Sequence, residues 1–154
     1  MRKIAIFVEG QTEQIFTATL IRKIANTAHL DIQFAYQEKN GLVYEGGTRN
    51  PKVTHFILLV DCRGDAQVKS QILDNYGSLQ NAGYQAVIGL RDVYPEEQSA
   101  VPQIEAALLL GLPTGKIPVH MHLAIMEVEA WFLAEVSHLP RIHEELSAEL
   151  AKKN

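Results

Sequence analysis

The chain has 154 residues, 47% of them hydrophobic, which is enough to bury the core of one domain and too short for two comfortable ones. Its formal charge of -4 and pI near 5.8 lack the strongly basic balance that advertises a nucleic-acid surface, so a phosphate-bearing partner would need metal ions or a local basic patch. The single cysteine, Cys62, excludes an internal disulfide and a cysteine-rich zinc site and fits a reducing cytoplasm, and no run approaches the roughly 18 apolar residues that span a bilayer.

Ile4 to Val8 is a short apolar run of the kind found in interior strands of parallel sheets. It meets Glu9 and Gly10 at once, which also argues against a secretory signal. Gln11 to His29 carries Ile15, Phe16, Leu20, Ile24 and Ala28 at helical spacing, and Asp31 to Gln37 alternates Ile32, Phe34 and Tyr36 against polar neighbours, as a strand with one covered face does. The glycine-rich segment from Glu38 to Lys52 reads as a loop, with a short hairpin conceivable around Leu42 to Tyr44.

His55 to Asp61 is a second buried strand, and it too ends on an acid. A helix is expected over Ala66 to Ala82, closed by Asn81 and Gly83, then a third apolar strand over Tyr84 to Leu90 running into Arg91 and Asp92. After Pro95, Ser99 to Leu110 predicts a helix, Ile117 to Ala124 a strand, and Met126 to Val136 a helix bearing Val128, Trp131, Phe132 and Val136 on its packed side. Alternation of this kind implies an α/β fold with a mostly parallel sheet and helices on both faces. The expected domain covers residues 1–136. Residues 137–154 form a charged, helix-prone tail that needs something to pack on, whether the domain itself, an oligomer contact or a longer C-terminal region of which it is the start.

Open α/β sheets bind ligands at the carboxyl ends of their strands, which makes Glu9 and Asp61 the first candidates for functional acids. In order along the chain, Val8-Glu9-Gly10-Gln11-Thr12-Glu13, Leu58-Leu59-Val60-Asp61 and Glu129-Ala130-Trp131-Phe132-Leu133-Ala134 resemble the motifs of Toprim-like proteins of bacteria. These include little-characterised families associated with defence loci and, more distantly, the nucleases named for overcoming a lysogenisation defect. The resemblance implies a Toprim-like sheet whose acids hold magnesium or manganese and process phosphodiesters of DNA or RNA, alone, as a homo-oligomer or with a partner ATPase.

The chemistry suits acids. Divalent ions offset the charge of a phosphodiester, activate water and stabilise the leaving oxygen, and magnesium needs only a few hard oxygen ligands from protein. By resemblance Glu9 is metal ligand or general base, Glu13 the second acid of the opening motif, Asp61 the first acid of an Asp-x-Asp pair, and Glu129 the acid of the last motif. The second Asp-x-Asp position holds Arg63, so Asp65 is the stand-in, while Arg63 itself has a planar fork that suits phosphate.

Each acid also has a plainer role. Glu13 suits the first turn of a helix, Asp65 an N-cap, Asp92 a turn, and Glu127 a solvated helix face. His120 and His122 share a side of their strand, with no third soft ligand evident in the sequence. Two other readings therefore stand beside the nuclease: a non-catalytic metal- or nucleotide-binding module of the same fold, and a flavodoxin-like or receiver-like interaction domain.

Overall fold

The structure is a computed structural model, and it describes residues 1–25, 29–39, 41–47, 52–64, 67–93 and 97–124. Its elements run β1 (Arg2–Val8), α1 (Gln11–Ile24), β2 (Leu30–Glu38), β3 (Gly41–Gly47), β4 (His55–Asp61), α2 (Val68–Asn81), β5 (Ala86–Asp92), α3 (Val101–Leu109) and β6 (Val119–Ala124), with one 3-10 turn at Gln98–Ala100. The strands make one six-stranded sheet in the order β3-β2-β4-β1-β5-β6. Every neighbouring pair is parallel except β2 with β3.

The apolar runs of β1 and β4 occupy the sheet centre, where both faces are covered. Side chains alternate across a sheet, so Ala5, Phe7, Leu58, Val60 and Val87 join one core with Val68, Ile72 and Leu79 of α2. Ile6, Val8, Ile32, Ile57 and Leu59 join the other with Ala18 of α1. Helices thus cover both faces. The last helix, α3, adds a small core of Ile104 and Leu108 against Val93, Met121 and Leu123. It lies beside α2, whose Lys69 ammonium donates to the carbonyls of Ala107 and Leu110.

Several boundaries differ from the sequence expectation, each for a local reason. The first helix stops at Ile24 rather than His29, with Ala25 as its C-cap bonded to Ile21 O, and His29 itself has a left-handed φ of 68°, a value no α-helix continues through. The segment read as a loop contains β3, an edge strand antiparallel to β2 in which Tyr44 pairs Ala35 and Val43 pairs Tyr36. Glycines at both its ends hid a strand whose middle is Leu42-Val43-Tyr44. The irregular register at Gln33/Phe34 is filled by the Gln33 amide, which donates to the carbonyls of Glu45 and Gly46.

At the end of α2, Gly83 takes φ of 78°, Tyr84 N–H bonds Leu79 O at 3.1 Å and Gly83 N–H bonds Gln80 O at 3.1 Å. This is the paired bond pattern of a Schellman cap. It keeps Tyr84 against Leu79 in the core, so β5 begins at Ala86 rather than Tyr84. The expected helix over Met126 to Val136 and the tail 137–154 lie outside the described residues. Among the described residues no helix is long and apolar enough to cross a membrane.

Gly89 marks where α2 and β6 approach β5 most closely. A Cβ there would stand 2.5 Å from Met121 Sδ and 2.9 Å from Ile72 Cδ1. Gly89→Ala is therefore expected to cost about 1–3 kcal/mol by overpacking. Urea unfolding should show a lower midpoint at unchanged slope, and an unaltered midpoint would contradict this packing.

Candidate functional site

The carboxyl ends of β1, β4 and β5 lie side by side, and their register decides which residues meet. Val8 is level with Asp61 on β4 and with Leu90 on β5, so Glu9, one residue further, emerges beside Cys62 and Arg91. Tyr36 of β2 is level with Asp61 on its other side. The connection after β1 leaves with α1 on one face, and that after β4 leaves with α2 on the other, the arrangement at which open α/β sheets commonly bind ligands.

Backbone bonds lock the turn after β4 onto the end of β1. Cys62 N–H donates to Val8 O at 2.9 Å and Gly64 N–H to Glu9 O at 3.2 Å. Asp61 Oδ1 accepts Arg63 N–H at 2.7 Å, a local turn bond that holds Arg63 at φ of 53°. Two buried glutamines anchor the flanking helices. The Gln14 amide of α1 donates to Leu59 O at 3.0 Å and Ala35 O at 3.1 Å, and the Gln71 amide of α2 donates to Cys62 O at 2.7 Å. Both sit on the inward stripe of their helices, a polar residue among apolar ones. That sequence signal was present, and only a backbone partner explains it.

Glu9 is 9% exposed, and its Oε1 lies 3.6 Å from Arg91 Nε. Arg91 is in step with Val87 and Glu9 with Phe7, so the pair occupies the α2 side of the sheet end. Asp61, in step with Leu59, belongs to the α1 side. The two carboxylates therefore flank the same sheet edge from its two sides, with Cys62 near both. Burial pushes the Cys62 thiol well above its ordinary range, and the charges of Asp61 and Glu9 push further, against a smaller lowering by its bond at Val8. It is a protonated core residue and not a nucleophile.

Glu13 lies in the first turn of α1, with a carboxylate oxygen folded over Gly10, where a Cβ would meet it at 3.1 Å. This is the position of a helix-start acid. Asp92 ends β5 level with Ala124 of β6. His120 and His122 are both exposed on β6. Asp65, Glu127 and Glu129 lie outside the described residues. Among the described residues no three His, Cys, Asp or Glu side chains converge in a metal-holding group. The two carboxylates flank the edge from opposite sides and Glu9 is paired with Arg91, so the described acids alone do not enclose a cation, and a hard ion here would keep several waters or draw on further ligands.

Sequence reasoning located Glu9 and Asp61 at neighbouring strand ends. It missed that Arg91 pairs with Glu9 and that Arg63 lies over Tyr36, its Cζ 3.4 Å from the ring centroid. Neither partnership leaves a trace along the chain, because each depends on register between strands distant in sequence.

Cys62 and Tyr84 make stability fall at alkaline pH. Tyr84 is raised from 10.0 to about 12, by burial and then by Tyr44. Both groups keep their protons in the folded state and release them more readily when unfolded. Their contribution is complete below the unfolded values, 9.0 for the thiol and 10.0 for the phenol, and declines above them. Urea midpoints should decline from about pH 9 upward. Cys62→Ala should flatten the first part of that decline and Tyr84→Phe the part above pH 10, and native Cys62 should resist thiol reagents until the chain unfolds.

Comparison with known families gives one match, to the family described as a domain of unknown function (DUF4276), over residues 8–153. No curated protein and no solved structure matches the chain. The match begins at Val8, the last residue of β1, takes in Glu9, Glu13, Asp61, Asp65 and Glu129, and runs on through the charged tail. Since it covers nearly the whole sequence, the chain belongs to the DUF4276 family.

Proposed function

We propose that the protein is a Toprim-like, magnesium- or manganese-dependent phosphodiester-processing enzyme of the cytoplasm, a nuclease acting on DNA or RNA. The observation that carries this reading is the register of β1 and β4, which brings two acids from residues 52 positions apart to one sheet edge. Glu9 and Asp61 would hold the cation. Glu13, at the start of α1, and Asp65 and Glu129, outside the described residues, would complete the ligand set.

The bound cation would supply charge neutralisation and an activated water. The chain's own residues supply position. Arg91 lies beside the Glu9 carboxylate as an ion pair at 3.6 Å, and the Asp61–Arg63 turn bond fixes one oxygen of Asp61. Gln14 and Gln71 tie both flanking helices to the strand ends, so the acids stand on rigid elements rather than on a loose loop.

A second reading, a non-catalytic metal- or nucleotide-binding module, is favoured by two arginines. One replaces the second acid of the Asp-x-Asp pair and the other already engages Glu9. Labelled single- and double-stranded DNA and RNA, incubated with manganese or with chelator, separate the two. The enzyme reading expects manganese-dependent cleavage, falling in Glu9→Gln by more than the roughly 10- to 100-fold typical of residues that only orient metal ligands. A rise in melting temperature with manganese but no cleavage leaves the binding module, and neither response leaves an interaction domain.

A further inference from the structure

We infer that Arg63, laid on the ring of Tyr36, is a platform for an unpaired nucleobase, so that the site takes single-stranded rather than paired nucleic acid. This rests on the nucleic-acid reading above and adds to it the class of substrate and the group that recognises it.

The geometry of the pair is specific. Arg63 Cζ stands 3.4 Å from the Tyr36 ring centroid. At that separation the guanidinium lies closer to flat than upright, because an upright fork would bring its two lower nitrogens roughly 0.7 Å nearer the ring, inside contact distance. One face of the guanidinium is therefore taken by the tyrosine. Arg63 is exposed whereas Tyr36 is half-buried, so among the described residues the other face is left toward solvent. A flat cation with a free face and donors around its rim stacks a base and reaches the neighbouring phosphate at once.

The backbone is arranged to hold it there. Arg63 adopts φ of 53°, which costs a side-chain-bearing residue more than it costs glycine, and the Asp61 carboxylate secures that turn through its bond to Arg63 N–H. Gly64 is in turn bonded to Glu9 O. The result aims Arg63 back across β4 onto β2, where Tyr36 is level with Asp61. Among the described residues no acid forms an ion pair with the Arg63 guanidinium, although Asp61 is two residues away. In a chain of net charge -4, an arginine at an acidic edge that rests on an aromatic ring instead of a carboxylate keeps its charge available to an anionic ligand.

A duplex hides its base faces within the stack, and a free strand does not. The platform therefore selects strands that can splay a base out beside Asp61. Arg91 cannot share this role, being half-buried and engaged by Glu9 on the other side of the sheet.

Binding measured by fluorescence anisotropy tests this without asking for catalysis. The probes are a labelled thymidine oligonucleotide, a labelled uridine oligonucleotide and a blunt duplex of equal length, all with chelator present. The wild-type chain should bind the single strands more tightly than the duplex. Arg63→Gln and Tyr36→Leu should each weaken single-strand binding on the order of tenfold. Tyr36→Phe should retain it, and Arg63→Lys should lose most of it, because the charge remains while the plane is gone. Matching melting temperatures confirm that each variant is folded. Single-strand binding indifferent to Arg63 and Tyr36, full affinity in Arg63→Lys, or a preference for the duplex overturns the platform and leaves the nuclease reading standing. No binding of any probe by the wild-type chain in chelator also overturns the platform, while the nuclease reading stands or falls on the manganese-dependent cleavage assay.

Discussion

The parallel pairing of β1 with β4 governs everything that happens at the sheet edge. A strand with one polar face has its register set by the demand to bury the other, but β4 is buried on both faces, and a slip by one residue would trade one apolar set for another. Its register is fixed instead at its ends. Arg2 N–H is bonded to Thr54 O at the amino end, and Cys62 N–H to Val8 O at the carboxyl end. Moving β4 by one residue would break both and would bring the Cys62 thiol into the place of Asp61. The location of the acids is thus a consequence of backbone bonding beyond the strands as much as of the strands themselves.

The two buried glutamines belong to the same constraint. An amide in a hydrophobic interior is unfavourable unless its hydrogen bonds are made, and both Gln14 and Gln71 make theirs to carbonyls at strand ends rather than to other side chains. Gln71 Oε1 is buried with no hydrogen-bond partner among the described residues, so its retention is not explained by stability alone. What the pair achieves is placement. Each helix is held close to where it leaves the sheet, one on either face.

How much of this was legible along the chain depends on the range of the interaction involved. The buried strands β1 and β4 were plain from unbroken apolar runs, and the end of α2 was plain from Gly83, because a left-handed cap is a local demand that glycine meets. The edge strand β3 was not, since its few apolar residues sit between glycines and its identity comes from pairing with β2. The same division runs through the site. Glu9 and Asp61 could be found as acids that end apolar strands, a local pattern. The face each acid occupies, the hold of Arg91 on Glu9 and the stack of Arg63 on Tyr36 are products of register, and register is written in no single segment.

The two arginines at the edge explain how Glu9 and Asp61 can stand at one sheet edge in a chain that already carries excess negative charge. Carboxylates gathered at one edge repel one another unless cations or donors offset them. Arg91 offsets Glu9 on the α2 side. On the α1 side, Arg63 adds a positive charge two residues beyond Asp61, while its backbone rather than its side chain satisfies that acid. The edge is therefore electrostatically composed before any ligand arrives. A cation that binds here competes with Arg91 for Glu9, and an anion that binds here finds Arg63 not engaged by an acid. Under the proposed phosphodiester function, the polyanion would meet the better prepared residue, and the affinity for a metal would depend on how readily Arg91 releases the carboxylate it holds.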